Sequence, residues 1–311
     1  RTRVIKRGVL DTATLAAELN TKRQALCIVN TRKHALNLYE RLATEGSFHL
    51  STLMCPIHRN SVIDEMRARL KAGLPCRVVS TRLIEAGVDV DFPTVYRSVC
   101  GLDSIIQSAG RCNREGRLTD AEGKPVLGEV HTFEPEAEYS KHQPAAFGRP
   151  IAIARGVMRR HEDILSPQAI SEYFTELYEL EGDALDEKKI FSELERSFDP
   201  KHGELNFDFA TVADEFRLIE NDTRAIIIPY DDKAKEKIKE LRRLEQVGDC
   251  LRALQKYTVT VYEPEFQGLL GTGNLETVPH TEIHILRENS NLYDDRTGLT
   301  LVRKSGNGIY I

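Results

Sequence analysis

Apolar runs of strand length alternate with segments of helical periodicity through roughly the first 135 residues of this chain, and that alternation limits its folds more than any other feature. Ala25 to Asn30 is a short apolar run that reads as a buried strand. Asn30 or Thr31 then caps a helix whose apolar positions Ala35, Leu38, Tyr39 and Leu42 recur at helical spacing, and Gly46 ends it. His49 to Met54 reads as a second strand. A helix follows with Val62, Met66 and Leu70 on one face and Gly73 at its end. Arg77–Ser80, Thr94–Val99 and Gly128–Phe133 read as three more strands. Strands separated by helices pair in parallel, so an α/β fold is expected, a parallel sheet with helices on both faces.

The pattern changes near Pro150. Residues 150–198 carry helical periodicity with no strand between, and residues 201–311 are mixed. Phe209–Leu218 reads as helix, Ala225–Ile228 as strand, Asp231–Gln255 as one long charged helix and Tyr257–Tyr262 as strand. The expected division is a sheet domain over 1–148, a helical linker over 149–199 and a smaller α+β domain over 200–311.

A chain of 311 residues, 41% hydrophobic, can bury a sizeable core. Its longest apolar run, Ala225 to Pro229, falls far short of the roughly 18 residues a membrane helix needs. Arg1 opens the chain with no charged-then-apolar leader, so the expectation is a cut piece of a longer cytoplasmic protein. Six cysteines without a Cys-x-x-Cys pair speak against zinc or a disulfide framework and for a reducing compartment. Net charge is −5, yet residues 1–134 hold 20 Lys+Arg against 15 Asp+Glu, so the basic half is the one that could face phosphate.

Open parallel sheets bind ligands at the carboxyl ends of their strands. The expectation is that Asn30-Thr31-Arg32, His58-Arg59, Thr81 with Glu85 to Asp89, and Gln107 to Arg114 lie at those ends. Arg111 and Arg114 stand three apart behind Gly110, which on a helix would put both guanidiniums on one face. A guanidinium is planar and permanently charged, so it can fork onto phosphate oxygens as charge develops there. Each cluster has a plainer reading. Thr31 could be only a helix cap, His58 a satisfied turn histidine, Asp89 and Asp91 loop acids, and the arginines a surface pair. Four such clusters in order point to nucleotide chemistry. No Gly-x-x-x-x-Gly-Lys-Ser/Thr occurs to cradle phosphates. Asp214-Glu215 follows no apolar strand, because Val212, Phe216 and Ile219 are spaced as a helix, so it is rejected as a magnesium-binding strand end.

At these residues the chain resembles superfamily 2 helicases. Thr81, Gly87 and Asp89 match the fifth motif of that superfamily, and Gln107, Gly110, Arg111 and Arg114 match the sixth. More narrowly, STRLIEAGVDVDFP and GLDSIIQSAGRCNREG, with CIVNTRKHA and MCPIHR before them, look like the CRISPR-associated helicase-nuclease family of type I interference. The later FDFATVADEFRLIENDTRAIIIPY and LYDDRTGL look like its C-terminal domain. The resemblance implies a second RecA-like lobe followed by that domain. It assigns Thr81, and with them Thr31, Arg32, His58 and Arg59, to the backbone of single-stranded DNA. It assigns Gly87, Asp89, Gln107 and Gly110 to ATP, and Arg111 and Arg114 to the γ-phosphate in the transition state. ATP and Mg2+ would be shared with a first lobe of the same protein, and this piece alone would be inactive and bind no metal. Partners implied are the N-terminal nuclease and first lobe, the crRNA-guided surveillance complex and, as a further candidate, an inhibitor protein. No His-Asp dipeptide occurs, so the family's nuclease centre is not in this stretch. Two alternatives stay open: the second lobe of another superfamily 2 helicase, and a non-hydrolytic module that holds DNA or a partner.

Overall fold

The computed structural model describes residues 1–85, 87–141, 145–182, 186, 188–191, 198–199, 204–205, 209–216, 223–243 and 247–301. Its first half is a six-stranded, wholly parallel sheet in the order β1-β6-β5-β2-β4-β3. The strands are β1 (Thr2–Leu10), β2 (Gln24–Ile28), β3 (Ser47–Leu50), β4 (Cys76–Ser80), β5 (Thr94–Ser98) and β6 (Gly128–Pro135). Helices α1 (Thr12–Thr21), α2 (Arg32–Tyr39), α3 (Pro56–Lys71) and α4 (Leu102–Ala109) form the crossovers. Side chains alternate across a strand, so β2 feeds two cores. Leu26 and Ile28 pack with Ile63 and Met66 of α3, while Ala25, Cys27 and Val29 pack with Leu15 and Leu19 of α1 and Leu38 of α2.

Three sequence expectations shift here. β1 and α1 precede the first strand read from the sequence, and β1 pairs with β6 along the sheet edge. Strand β3 stops at Leu50, four residues early, because Ser51 turns the chain (its carbonyl accepts from the Met54 amide at 3.2 Å). The long charged helix is two helices, Asp232–Arg242 and Val247–Leu254, whose Ile238, Leu241, Cys250 and Leu254 share one core.

Helices α5 (Ala137–Ser140), α6 (Gly148–Arg160) and α7 (Pro167–Glu181) follow the sheet. Ile153, Ala154 and Val157 of α6 and Tyr173 of α7 bury against Leu102 and Ile105 of α4, so the helical segment is fastened to the sheet domain. Beyond a two-strand ladder, β7 (Phe198–Asp199) and β8 (Glu204–Leu205), a mixed sheet β10-β9-β12-β11 forms from β9 (Thr223–Ile227), β10 (Thr258–Tyr262), β11 (Leu275–Thr277) and β12 (His284–Leu286). A last hairpin, β13 (Tyr293–Asp294) and β14 (Gly298–Leu299), reaches back to the first half. The Leu299 amide donates to the Leu53 carbonyl at 2.8 Å, and Cys55 joins the apolar core of the C-terminal sheet. Gly298 sits at φ +83° with its α-carbon against the Leu53–Met54 backbone, a place where any side chain would collide. The six cysteines are buried as thiols, with none joined in a disulfide. Among the described residues no helix is long and apolar enough to cross a membrane.

Candidate nucleotide and nucleic-acid site

The two sequence blocks meet through one backbone exchange. The Phe92 amide donates to the Arg111 carbonyl and the Asn113 amide to the Phe92 carbonyl, both at 2.9 Å. This pairs Phe92 with Cys112 in a parallel bridge and lays the 110–114 turn beside the 87–91 segment. Arg114 and Asp89 form an ion pair. Asp91 accepts the Arg114 amide at 2.8 Å and the Glu115 amide at 3.1 Å. Arg111 donates through Nη2 to the Glu85 carbonyl at 2.7 Å, while its buried Nε has no hydrogen-bond partner among the described residues. Burial first, then repulsion by Arg114, lowers the Arg111 pKa from its ordinary value, with Asp89 opposing. A guanidinium so placed retains its charge, because arginine cannot be deprotonated at any working pH.

The convergence is real but its cause differs from the expected one. Helix α4 ends at Ala109, so Arg111 and Arg114 are not on a helical face. They sit in a turn held by Asn113 at φ 44°. The side-chain amide of Asn113 donates to the carbonyls of Arg1 (3.0 Å) and Val126 (3.1 Å), and its oxygen accepts from the Leu118 amide (3.1 Å). Nor do all four clusters lie at carboxyl ends. Helix α4 starts beyond the carboxyl end of β5 and runs back along it, delivering Gly110–Arg114 beside Phe92, just ahead of the first residue of β5. Asp89 descends the same way, its carbonyl accepting from Arg67 of α3 at 3.1 Å. The candidate site is therefore a band across the sheet, with Thr31 and Thr81 at the carboxyl ends of β2 and β4 and Asp89, Arg111 and Arg114 toward the amino ends. Gln107 and Gly110 are exposed at the end of α4, and Gly87, at φ +73°, turns the chain where a side chain would be strained.

The DNA-backbone candidates divide. Thr31 caps α2, its hydroxyl accepting from the His34 amide at 3.2 Å, so the plainer reading holds for that oxygen. The Thr81 hydroxyl makes no hydrogen bond among the described residues and stays half-buried at the end of β4. Arg59 is likewise half-buried without a partner among the described residues. Arg32 is engaged by the C-terminal half: Nη2 lies 2.5 Å from Glu265 Oε1, and the guanidinium sits 5.5 Å from the Tyr262 ring. His58 is a correction. Its ring is buried, stacked 4.9 Å from Tyr230, with Nε2 2.8 Å from the Asp295 carbonyl and Nδ1 2.9 Å from the Tyr293 hydroxyl. Nε2 must donate to that carbonyl, which leaves Nδ1 to accept from Tyr293. Burial lowers its pKa and favours this neutral form. A ring with both nitrogens committed has nothing to offer a phosphate.

Sequence reasoning missed Arg97 and treated Glu85 only as part of a polar loop. Both are buried, with Arg97 Nε 2.8 Å from Glu85 Oε1 and exposures of 0% and 2% for the two side chains. A charged residue inside an apolar strand run was the available signal, since buried charges survive only when paired. Among the described residues no three His, Cys, Asp or Glu cluster as a metal site.

A parallel sheet of this order, with arginines from the loop after its fourth crossover helix facing an aspartate from the preceding loop, has the architecture of a RecA-like lobe. Residues 21–117 match the family model described as CRISPR-associated nuclease/helicase Cas3, C-terminal. The Cas3 nuclease/helicase of Haloferax volcanii is 29% identical in an alignment of 171 residues that covers 48% of this chain and 17% of that protein. In fold, the chain superposes on T. fusca Cas3 with AMPPNP at a TM-score of 0.61 and 16% identity, covering 97% of this chain and 42% of that one. A structure titled CRISPR RNA-guided surveillance complex, pre-nicking, superposes at 0.58 and 16%, covering 97% and 45%. Sequence and fold together relate the chain to the C-terminal part of the Cas3 helicase-nucleases, and it spans less than half the length of these relatives.

Proposed function

We propose that this chain is the second motor lobe and C-terminal domain of an ATP-dependent single-stranded DNA translocase acting in CRISPR interference. Residues 1–148 form the lobe, 149–199 the helical linker and 200–311 the accessory domain. The observation that carries the reading is the meeting of Arg111, Arg114 and Asp89, drawn from two loops some twenty residues apart. Two guanidiniums with an acid to orient one of them fit the γ-phosphate side of a nucleotide, where negative charge shifts during transfer. They do not fit the whole of it. Asp89 is taken by Arg114 and no cradle of glycines is present, so Mg2+ and the β-phosphate belong to residues of a first lobe. Thr81, Thr31 and Arg59 border the carboxyl ends, where sequence-independent backbone contact with DNA is assigned. Arg32 would join them on release from Glu265. Partners on this reading are the nuclease and first lobe of the same protein and a crRNA-guided complex, in the cytoplasm.

The test is turnover by the full-length protein. Arg114→Ala is expected to lower DNA-stimulated ATP hydrolysis by on the order of 10³ while barely changing ATP affinity, because the contact strengthens only in the transition state. Lysine there keeps the charge but loses the fork and should rescue little. Normal turnover by Arg114→Ala, measured by phosphate release, overturns the reading.

A further inference from the structure

Arg97 lies in the middle of the band and belongs to neither matched motif block. It stands near the end of β5, in register with Ile28 of β2 and Thr132 of β6. Its side chain is wholly buried. Nη1 donates to Asn30 Oδ1 at 2.6 Å and to the Ser98 carbonyl at 2.9 Å, so it fixes the residue directly before Thr31. Its Nε faces Glu85 Oε1 at 2.8 Å, too obliquely for a hydrogen bond, and Nη2 finds no acceptor among the described residues. Glu85 in turn stands four residues after Thr81. Its carboxylate accepts from Ser108 of α4 at 3.4 Å and from Arg82 at 3.4 Å, and its carbonyl accepts from Arg111 at 2.7 Å.

The two residues of one ion pair thus touch the Asn30-Thr31 exit, the Thr81 loop, α4 and, through the Glu85 carbonyl, the guanidinium of Arg111. A buried pair is a poor device for stability alone, since desolvating two charges costs about as much as their attraction returns. This one is incompletely hydrogen-bonded besides, which makes it poorer still. We propose that Arg97 and Glu85 are positioning residues that transmit occupancy of the DNA-facing threonines to Arg111 at the nucleotide. The proposal rests on the motor reading above. A shift of the Thr31 or Thr81 backbone moves Asn30 or the 81–85 turn, and both are held by Arg97. The Glu85 carbonyl then moves relative to Arg111, and the guanidinium is re-aimed. Neither Arg97 nor Glu85 reaches DNA or ATP in this scheme.

The experiment separates a coupling role from a structural one in the full-length protein. Glu85→Gln leaves Arg97 buried without its counter-charge and Arg97→Met leaves buried Glu85 only the part-exposed Arg82, so both single variants are expected to melt at lower temperature. The double variant Arg97→Met/Glu85→Gln removes both charges and is expected to recover the melting temperature. Four quantities are read on it: melting temperature, KM for ATP, ATP turnover without DNA, and turnover with saturating single-stranded oligonucleotide. The expected result is a recovered fold, unchanged KM and unstimulated turnover, and a loss of at least tenfold in stimulation by DNA. A double variant that recovers both fold and stimulation overturns the inference and leaves the motor reading intact. Should the double variant stay unfolded, Glu85→Asp, which keeps the charge and shortens the reach, takes its place. Diminished stimulation at unchanged KM supports coupling, and full stimulation overturns it. Absence of DNA stimulation in the unmodified protein overturns the motor reading and the inference with it.

Discussion

His34 and His49 show how single side chains set the response of this fold to acid. Both are buried, His34 stacked 4.0 Å from Tyr139, and burial lowers each pKa to about 4. The unfolded imidazole titrates near 6.5, so between about pH 6.5 and pH 4 the unfolded chain binds protons that the folded chain refuses. The stability these two contribute is complete above pH 6.5 and drains away as pH falls toward 4. The melting temperature of the chain should therefore drop steadily from pH 7 to pH 4.5. His49→Phe, which keeps a flat ring beside Tyr39, should make that drop shallower; an unchanged slope would assign the acid response elsewhere. His58, also depressed by burial, adds to the same trend at the contact between the two halves.

Helix and strand assignments were legible wherever periodicity and burial agreed. Strand β2 is an almost uninterrupted apolar run, and β4 and β5, which mix Val with Arg77, Ser80, Thr94, Arg97 and Ser98, are nonetheless buried at every position because both their faces are covered. Strand β1 was invisible for the opposite reason: at the sheet edge it keeps Arg3, Lys6 and Arg7 among its residues, and its pairing is supplied by a strand far along the chain. At the site, the residues were legible and their arrangement was not. Arginine spacing of three suggested a helix, whereas the turn is set by Asn113 in the left-handed region and by a bridge to Phe92 that no local rule anticipates. The hydrogen bonds that engage His58 and Arg32 come from residues more than two hundred positions away, beyond the reach of any window. The turn can be tested directly. Asn113→Ala loses three hydrogen bonds and strains the backbone, and should cost about 2–4 kcal/mol in urea denaturation. Asn113→Gly loses the same hydrogen bonds but relieves the strain, so it should fall between alanine and the parent. Equal stabilities for alanine and glycine would mean that the left-handed backbone is not held in solution.

The whole molecule is two packed halves whose contact is polar as well as apolar. The Tyr293 hydroxyl accepts from the Cys55 amide at 3.0 Å and faces His58, and Arg296 donates to the Tyr39 hydroxyl at 2.9 Å. Tyr293→Phe leaves a buried amide and a buried imidazole nitrogen without their partner, and should destabilise the contact by about 1–3 kcal/mol. If the halves unfold as one unit, a single denaturation transition moves to lower urea. If they are separable, the C-terminal half melts first and a second transition appears. The parallel sheet carries a different consequence, one of timing. Thr2 lies opposite Gly128, so β1, made before the other strands of this sheet, must wait for the last of them, β6. At roughly 5–20 residues per second that interval lasts several seconds or more, during which β1 has no neighbour to pair with. Its charged side chains now have a reading of their own: they keep a solitary nascent strand from sticking to other chains. In refolding followed by pulsed hydrogen exchange, the β1 amides should gain protection together with those of β6 and after those of β2 and β4, whose partners lie nearer in sequence. Protection of β1 ahead of β6 would show that the young strand finds some other partner first.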